Sequence, residues 1–391
     1  MWRRHDLKIA FESQLLLKGN KTGIAWYADN IVRELAQNPH NVCQCNFFSV
    51  GYSEEQLKIM KAYENVGIKL NPCNKLNYLV YKLIWPIIHV PYSWFFGGEN
   101  DVTVFFNYVI PPGVKGRKAL YIYDLAHLAY PSTVRFRTRI WFKIVLKKSC
   151  QRADMIFTIS EFSKKEIVER MNIPEDRIRV ISCGVDAKKF ENRYSQEEVK
   201  QVKAKYNLAD NYFLYLGTIE PRKNVINLLK AYYELQKSEN TSRNIPKLVL
   251  AGVKGWKCKD VYEFVNTHNL QEKVIFVGYV EEHEKVILLN AAIGFVFISW
   301  YEGFGIPPLE AMASGTPVMI SNRSALPEVV GDAAIIVDPE RIDEITAGLK
   351  LMMYNREFCD ALVTKARERV PLYSWQRSGA IIEKALEELV R

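Results

Sequence analysis

Phe295–Pro317 reads FVFISWYEGFGIPPLEAMASGTP. Its apolar start, Phe295 to Ile298, predicts a strand; Gly303 and Gly305 predict a loop; Pro307 and Pro308 open a helix that Gly315 closes. Strand, loop and helix in that order make one crossing of an open parallel α/β sheet, whose loop lies at the carboxyl ends of the strands, where ligands bind. Glu302 falls in the loop and Glu310 in the first turn of the expected helix, so two carboxylates are expected to face one crevice. Taken alone the pattern also has a plain reading. A Glu in a first turn is favoured by the helix dipole by roughly 0.3–1 kcal/mol, and Glu302 is then a solvated loop residue.

The 391 residues suffice for two domains with separate cores. Hydrophobic residues at 48% and charged residues at 25% place the chain among globular proteins and exclude disordered and fibrous classes. Seven scattered cysteines without a C-x2-C pair suggest neither a disulfide framework nor a zinc site, which fits a reducing cytosol. The start, MWRRHDLKIAFESQLLL, has its apolar run broken by Glu12, Ser13 and Gln14, so no signal peptide is expected. Residues 1–190 hold 28 Lys+Arg against 17 Asp+Glu, a balance of +11, and residues 191–391 hold 25 against 27, a balance of −2. The first half therefore carries the whole positive excess and is expected to meet an anionic partner: membrane lipid, a phosphorylated acceptor or nucleic acid.

Along the chain, Lys8 to Glu12 predicts a first strand, followed by a glycine loop from Gly19 and a helix. Gly23 either lets that loop approach substrate phosphates across an interdomain cleft or serves ordinary βα turn chemistry. Leu76 to Phe96 is the most apolar stretch, but Lys82, Pro86, His89 and Pro91 argue against a spanning helix. A buried helix or a monotopic membrane patch is expected there. Val134 to Arg152 interleaves basic with apolar residues, predicting a basic amphipathic helix that either lies on anionic lipid or turns a solvated face outward. Ala119 to Pro131 is a strand running into Asp124 and His127. Phe157 to Ser160 is a further strand, with Ser163 and Glu166 forming a capping box.

A polar segment from Lys188 to about Asp210 marks the domain boundary. Tyr212 to Leu216 begins the second α/β domain. The loop TIEPRKN places Arg222 and Lys223 before the helix Val225 to Gln236, and two cations at a helix start call for a diphosphate. With no acidic residue following Glu220 in that loop, replacing either cation is expected to spare folding. Further strands are expected at Lys247–Ala251, Val274–Val277, Phe295–Ile298, Pro317–Ile320 and Ala334–Val337. Gly252 and the Gly278-Tyr279-Val280 turn fall at strand ends, where backbone groups could hold a base. A last helix is expected over Trp375–Val390.

Several of these stretches carry a family resemblance. Glu302 with GFGIPP, Glu310 and AMASGTPV resembles the E-x7-E signature of the retaining, nucleotide-sugar-dependent glycosyltransferases of family 4. The likeness extends through ALPEVVGDAAIIVDP, YLGTIEPRKN, FTISEFSKKEI and VISCGVD. It implies the GT-B fold: an α/β chain of two Rossmann-like, doubly wound parallel-sheet domains facing a central cleft. Residues 1–187 would form the acceptor side and 188–372 the nucleotide-sugar side, with 373–391 crossing back.

By the same resemblance Lys223 and Arg222 neutralise the donor diphosphate and Glu310 accepts from the ribose hydroxyls. Glu302 lies near the transferred sugar, where the amides of Gly303, Phe304, Gly305 and Ile306 bind hydroxyls or phosphate. The family's His-Asp-Leu strand end is matched here by Tyr123, Asp124 and Leu125, and His127 either takes the histidine role or braces the loop. No D-x-D occurs, so metal-independent transfer without a cofactor is expected, with Asp124, His127 and Glu302 as the candidate catalytic residues. The PRKN form and the run Gly252 to Trp256 lean toward a GDP- or UDP-linked mannosyl or similar hexosyl donor. The acceptor would be a glycan or a lipid-linked sugar of bacterial polysaccharide assembly, and the location cytoplasmic, peripheral on the inner face of the cell membrane. The alternatives are an epimerase-like GT-B protein and nucleic-acid binding through Val134–Arg152; the missing G-x-G-x-x-G argues against a Rossmann oxidoreductase.

Overall fold

The structure, a computed structural model, describes residues 6–19, 21, 23–191, 194–208, 211–239 and 245–391. Outside them lie the basic cluster at the start of the chain, two positions of the glycine loop (20 and 22) and the expected linker end at 210. The described chain divides into two units. One runs to Gly184 and takes in Trp375–Arg391; the other is Val185–Ser374.

The first unit is built on seven strands: β1 (Leu7–Glu12), β2 (Asn41–Phe48), β3 (Lys69–Cys73), β4 (Val102–Phe105), β5 (Arg117–Tyr121), β6 (Met155–Thr158) and β7 (Ile178–Val180). They are all parallel, in the order β3-β2-β1-β4-β5-β6-β7. The winding reverses between β1 and β4, which makes their carboxyl ends the topological switch point. β4 and β6 are buried at every position, as strands covered on both faces must be. The helix Gly23–Ala36 buries Ala25, Tyr27, Ala28, Ile31, Val32 and Leu35 along one stripe. The helix Trp375–Val390 docks beside it: Ser378 donates to the Ser182 carbonyl at 2.7 Å, the Trp375 and Tyr27 rings meet at 5.7 Å, and Glu383 accepts from Asn38 and Asn41.

Three local expectations are corrected in this unit. Leu76–Phe96 is not one buried helix but two short ones, Tyr78–Ile84 and Ser93–Phe96, separated by the Pro86–Pro91 connection. Tyr81, Trp85, Tyr92 and Phe96 point inward, whereas Leu83 and Ile87 are 69% and 86% exposed. The helix Phe136–Arg152 is not cleanly two-sided. It buries only Val145, Leu146, Ser149 and Cys150, leaving Phe136, Ile140 and Ile144 exposed among Arg137, Arg139, Lys143 and Lys147. The capping box at Ser163 does not form. β6 ends at Thr158, which moves the cap upstream to Ser160, whose hydroxyl accepts from the Ser163 amide at 3.0 Å, while Glu166 pairs with Arg170 at 2.7 Å.

The second unit holds β8 (Tyr212–Leu216), β9 (Lys247–Ala251), β10 (Val274–Gly278), β11 (Gly294–Phe297), β12 (Val318–Ser321) and β13 (Ile335–Val337). These too are parallel, in the order β10-β9-β8-β11-β12-β13, with the winding reversed between β8 and β11. Gly217 and Gly252, just past β8 and β9, have φ of +155° and +148°. A Cβ on Gly252 would stand 2.0 Å from the Gly217 carbonyl oxygen, so only glycine permits this approach.

β1 ends in Glu12, buried at the switch point. Burial pushes its carboxyl up from 4.5 to about 7, against the opposing pull of the Gln14 amide and Lys82. Tyr78 and Tyr92 are the other titratable side chains under its influence. Between pH 4.5 and 7 the folded chain therefore holds a proton that the unfolded chain releases, and this carboxyl weakens the fold progressively over that range. Glu12→Gln should exceed the parent in stability by up to roughly 3 kcal/mol at pH 8, with the gap closing toward pH 4. Urea unfolding at the two pH values measures it; a gap independent of pH would contradict the assignment.

Candidate active site

The candidate residues of the second unit gather past the carboxyl ends of β8 and β11. From β8 the chain passes Gly217 into a single 3-10 turn, Pro221–Lys223, and Asn224 in a left-handed conformation starts the helix Val225–Ser238. From β11 it passes into the buried loop Tyr301–Gly305 and then the helix Ile306–Ala313. Arg222 and Lys223 both reach Glu302. The contacts are 3.0 Å from Arg222 Nη1 to Glu302 Oε2 and 2.6 Å from Lys223 Nζ to Glu302 Oε1. Arg222 also pairs with Glu220 at 2.9 Å and donates to the Tyr301 carbonyl at 2.7 Å. Lys223 lies 4.6 Å from the centre of the Phe297 ring.

The expectation of two cations without an acidic partner is thereby corrected: their counter-ion comes from a loop 79 residues further on. Burial pushes the Glu302 carboxyl up, but Arg222 and Lys223 outweigh it and hold it below the usual carboxylate range. Burial also holds Lys223 below the usual lysine range, against the pull of Glu302. The loop itself is braced by Ser324, whose hydroxyl accepts from the Glu302 amide at 2.8 Å, and by the Ala325 amide, which donates to the Glu302 carbonyl at 3.3 Å.

Glu310 lies in the second turn of Ile306–Ala313 rather than the first, so the dipole argument for it lapses. Its partner is Lys285, at 2.6 Å, on the helix Glu282–Ala291; Lys285 also meets Glu282 at 3.0 Å, and Glu282 meets Lys189 at 2.7 Å. Burial works against the Lys285 charge, but Glu310 and Glu282 outweigh it and keep the ammonium firmly protonated. Gly305 has φ +110°, and Pro307 and Pro308 bring no N–H, so those two prolines offer a ligand no backbone donor at this helix start. Gly252 differs from expectation in one respect. Its amide donates to the Gly278 carbonyl at 2.7 Å and is not open to a base, whereas Tyr279 next to it is exposed and Val280 half-buried.

Gly23, Asp124 and His127 belong to the first unit. Gly23 has φ +35° with nothing within 4 Å of a built Cβ. Asp124 Oδ1 accepts from the Ala126 amide at 3.0 Å, opening the short helix Ala126–Ala129. His127 on that helix is buried against Phe142, ring centres 4.7 Å apart, and burial pushes it down to about 4, so the imidazole is neutral at pH 7. Tyr123 is buried in the aromatic core, stacked on Tyr121 at 5.5 Å, and among the described residues its hydroxyl has no hydrogen-bond partner.

Glu220, Lys285 and Ser324 were not singled out from the sequence. Lys285 is 25 residues from Glu310 and sits in an ordinary acidic helix start, with no motif to mark it.

Two doubly wound parallel-sheet units, one carrying paired cations and carboxylates past its strand ends, define the GT-B fold class. Residues 196–369 match the model of the glycosyl transferases group 1, and residues 21–189 that of Glycosyltransferase Family 4. The chain belongs to these group 1, family 4 glycosyltransferases. It is 37% identical over 234 residues to the O-antigen chain mannosyltransferase B of Escherichia coli, covering 59% of this chain and 60% of that protein. It is 31% identical over 242 residues to the serotype-specific mannosyltransferase WbdA of Escherichia coli, covering 62% of this chain and 29% of that one. The chain thus spans less than two thirds of the length of these relatives. Among solved structures it is similar to sucrose-phosphate synthase from Thermosynechococcus elongatus, with a TM-score of 0.72 at 18% identity over 98% of this chain and 99% of that one. Anabaena HepE, solved with UDP and glucose, gives a TM-score of 0.72 at 15% identity over 98% of this chain and all of that one.

Because Glu302 is buried, removing one of its cations leaves charge uncompensated. Lys223→Ala should cost about 3 kcal/mol of stability, the low end for breaking a buried pair because Arg222 remains. Pairing it with Glu302→Gln should recover part of that loss. A cost under about 1 kcal/mol in urea unfolding would show that the pair contributes little to the fold.

Proposed function

We propose that this chain transfers a mannosyl or similar hexosyl unit from a GDP- or UDP-linked sugar to a glycan or lipid-linked acceptor, with retention and without a metal, in bacterial polysaccharide assembly. The observation that carries the proposal is the Arg222–Lys223 pair held at the end of β8 by Glu302. A leaving diphosphate gains negative charge as the glycosidic bond breaks. Preorganised cations in a buried setting stabilise that charge without reorganising. Glu302 keeps both cations in place before the donor arrives, and a diphosphate at this point would share Arg222 and Lys223 with it. On this reading Glu310, paired with Lys285, accepts from the ribose hydroxyls of the donor. On this reading the departing phosphate itself takes the acceptor proton, and Asp124 and His127 orient the acceptor or sugar from the first unit. A neutral His127 suits hydrogen bonding rather than charge stabilisation.

The enzyme would act at the inner face of the cell membrane. No helix among the described residues is long and apolar enough to cross a membrane. The helices Tyr78–Ile84 and Phe136–Arg152 are joined through Trp85 and Trp141, 6.2 Å apart, and through Lys82 over Trp141 at 4.8 Å. Leu79, Leu83, Phe136 and Ile140 are exposed on them, with Ile87 and Ile88 exposed in the connection that follows the first, beside Arg135, Arg139, Lys143 and Lys147. Apolar side chains flanked by cations suit an anionic lipid surface, each cation contributing about 1 kcal/mol.

A panel of nucleotide sugars, read by nucleoside diphosphate release, should show turnover with a hexosyl donor that survives EDTA. Arg222→Ala should slow it by roughly 2.7–4 kcal/mol of barrier. Loss of turnover on chelation that manganese or magnesium restores would overturn the metal-free mechanism. The parent should pellet with anionic liposomes at low salt, and replacing Arg135, Arg139, Lys143 and Lys147 by Glu should abolish pelleting while sparing nucleotide binding. Equal pelleting by both proteins, or none by the parent, would remove the membrane from the proposal.

A further inference from the structure

The first unit has a small cavity at its topological switch point, outside the carboxyl ends of β1 and β4. Glu12 and Phe105, paired in register at the ends of those strands, form its floor. Tyr78, Tyr81, Lys82 and Trp85 come to it from the helix Tyr78–Ile84 and its cap, Asn107 from the segment after β4, and Trp141 from the helix Phe136–Arg152. Its volume is about 30 Å³, room for about one water-sized group. Tyr78, Lys82, Asn107 and Trp141 are half-buried and form the mouth; Tyr81 and Trp85 are buried.

Glu12 is 7% exposed, yet among the described residues a single hydrogen bond reaches its carboxyl, from the Gln14 amide to Oε1 at 3.3 Å. A carboxyl offers about four acceptor positions. Protein fills one of them, and burying a carboxyl on so few protein donors is costly; a fold under selection for stability alone would put an apolar or amide side chain there. Lys82 is near enough to be felt but forms no ion pair with Glu12 within 4.0 Å. A carboxyl with spare acceptor positions suits a neutral group that donates hydrogen bonds, and it repels an anion. Aromatic walls with a few convergent polar groups suit a small organic ring.

We propose that this pocket is an acceptor subsite: it admits one hydroxyl or hydroxymethyl group of a pyranose, which donates to Glu12, while the ring packs at the mouth against Tyr78 and Trp141. The assignment rests on the transferase reading for the role of the bound sugar, but the binding itself does not depend on that reading. The same two helices, with the connection that follows the first, carry the exposed apolar side chains described above, so a sugar on a lipid carrier would meet this subsite beside the surface proposed to face lipid. Glu12 is here a binding and selectivity residue; nothing assigns it a proton-transfer step.

The test is saturation-transfer NMR on the full chain without donor, titrating methyl α-D-mannopyranoside, alongside nucleoside diphosphate release from nucleotide sugars. The parent should bind the mannoside saturably, Glu12→Gln at least tenfold more weakly, and Trp141→Leu also more weakly. Unaltered or improved thermal stability of Glu12→Gln at pH 8 would exclude unfolding as the cause, and Trp141→Leu, at a half-buried position, provides the second variant. Saturable binding lost in both variants, without any nucleotide-sugar turnover by the parent, would sustain the pocket and sink the transferase reading. Turnover by the parent with no mannoside binding, or with binding equal in parent and Glu12→Gln, would overturn the pocket and leave the transferase reading standing.

Discussion

The second unit depends on one electrostatic constraint: Glu302 is buried, and a buried carboxylate must be paired. Arg222 and Lys223 meet that requirement from the opposite side of the winding reversal, and in doing so tie the loop after β8 to the loop after β11. The backbone answers the same need. Arg222 spans to the Tyr301 carbonyl, its own carbonyl accepts from the Trp300 amide at 2.9 Å, and Ser324 holds the Glu302 amide. Two loops that would otherwise be free to move apart become one surface. If the proposed function holds, a stability device and a charge-handling device are the same set of atoms, so variants of these residues must be read for folding and for activity separately.

The first unit is organised differently. Its centre is aromatic, with Tyr27, Tyr121, Tyr123 and Phe106 packed in stacked and edge-on contacts, and Tyr27 tied to the Ile181 carbonyl at 2.8 Å. Such rings bury large areas in rigid shapes. Of the polar side chains it buries, Asp29 is partnered by Lys21 and Asn46 by Tyr92. That contrast gives Glu12 its meaning: it is an under-satisfied acid at the point where a doubly wound sheet opens, walled by side chains that could have excluded it. The neighbouring helices bury Tyr81 on one and Val145 and Leu146 on the other, and leave leucine, isoleucine and phenylalanine side chains exposed.

The crossing Phe295–Pro317 was legible because its signals are local: an apolar run, two glycines and two prolines fix strand, loop and helix within a residue or two of β11 and Ile306–Ala313. The helices Val225–Ser238 and Trp375–Val390 were legible for the same reason. β2 and β3 escaped notice because Gln44, Asn46 and Asn71 interrupt their apolar pattern; Asn46 Oδ1 accepts from Gln44 along β2 and from Asn71 across to β3, a compensation no periodicity reveals. Leu76–Phe96 misled because a continuous apolar run resembles one element, whereas half of it faces inward and half outward.

Taken by itself, the sequence determined the α/β character, the order of strands and helices in the second unit, and the residue types placed past its strand ends, since each follows from spacing along a short stretch of chain. Only the tertiary structure decided the partnerships: Glu302 with Arg222 and Lys223, Glu310 with Lys285, and Glu12 with a ring of aromatics. These contacts join residues 25 to 129 positions apart, and which charge meets which is set by sheet order and by the need to compensate buried charge rather than by any local pattern.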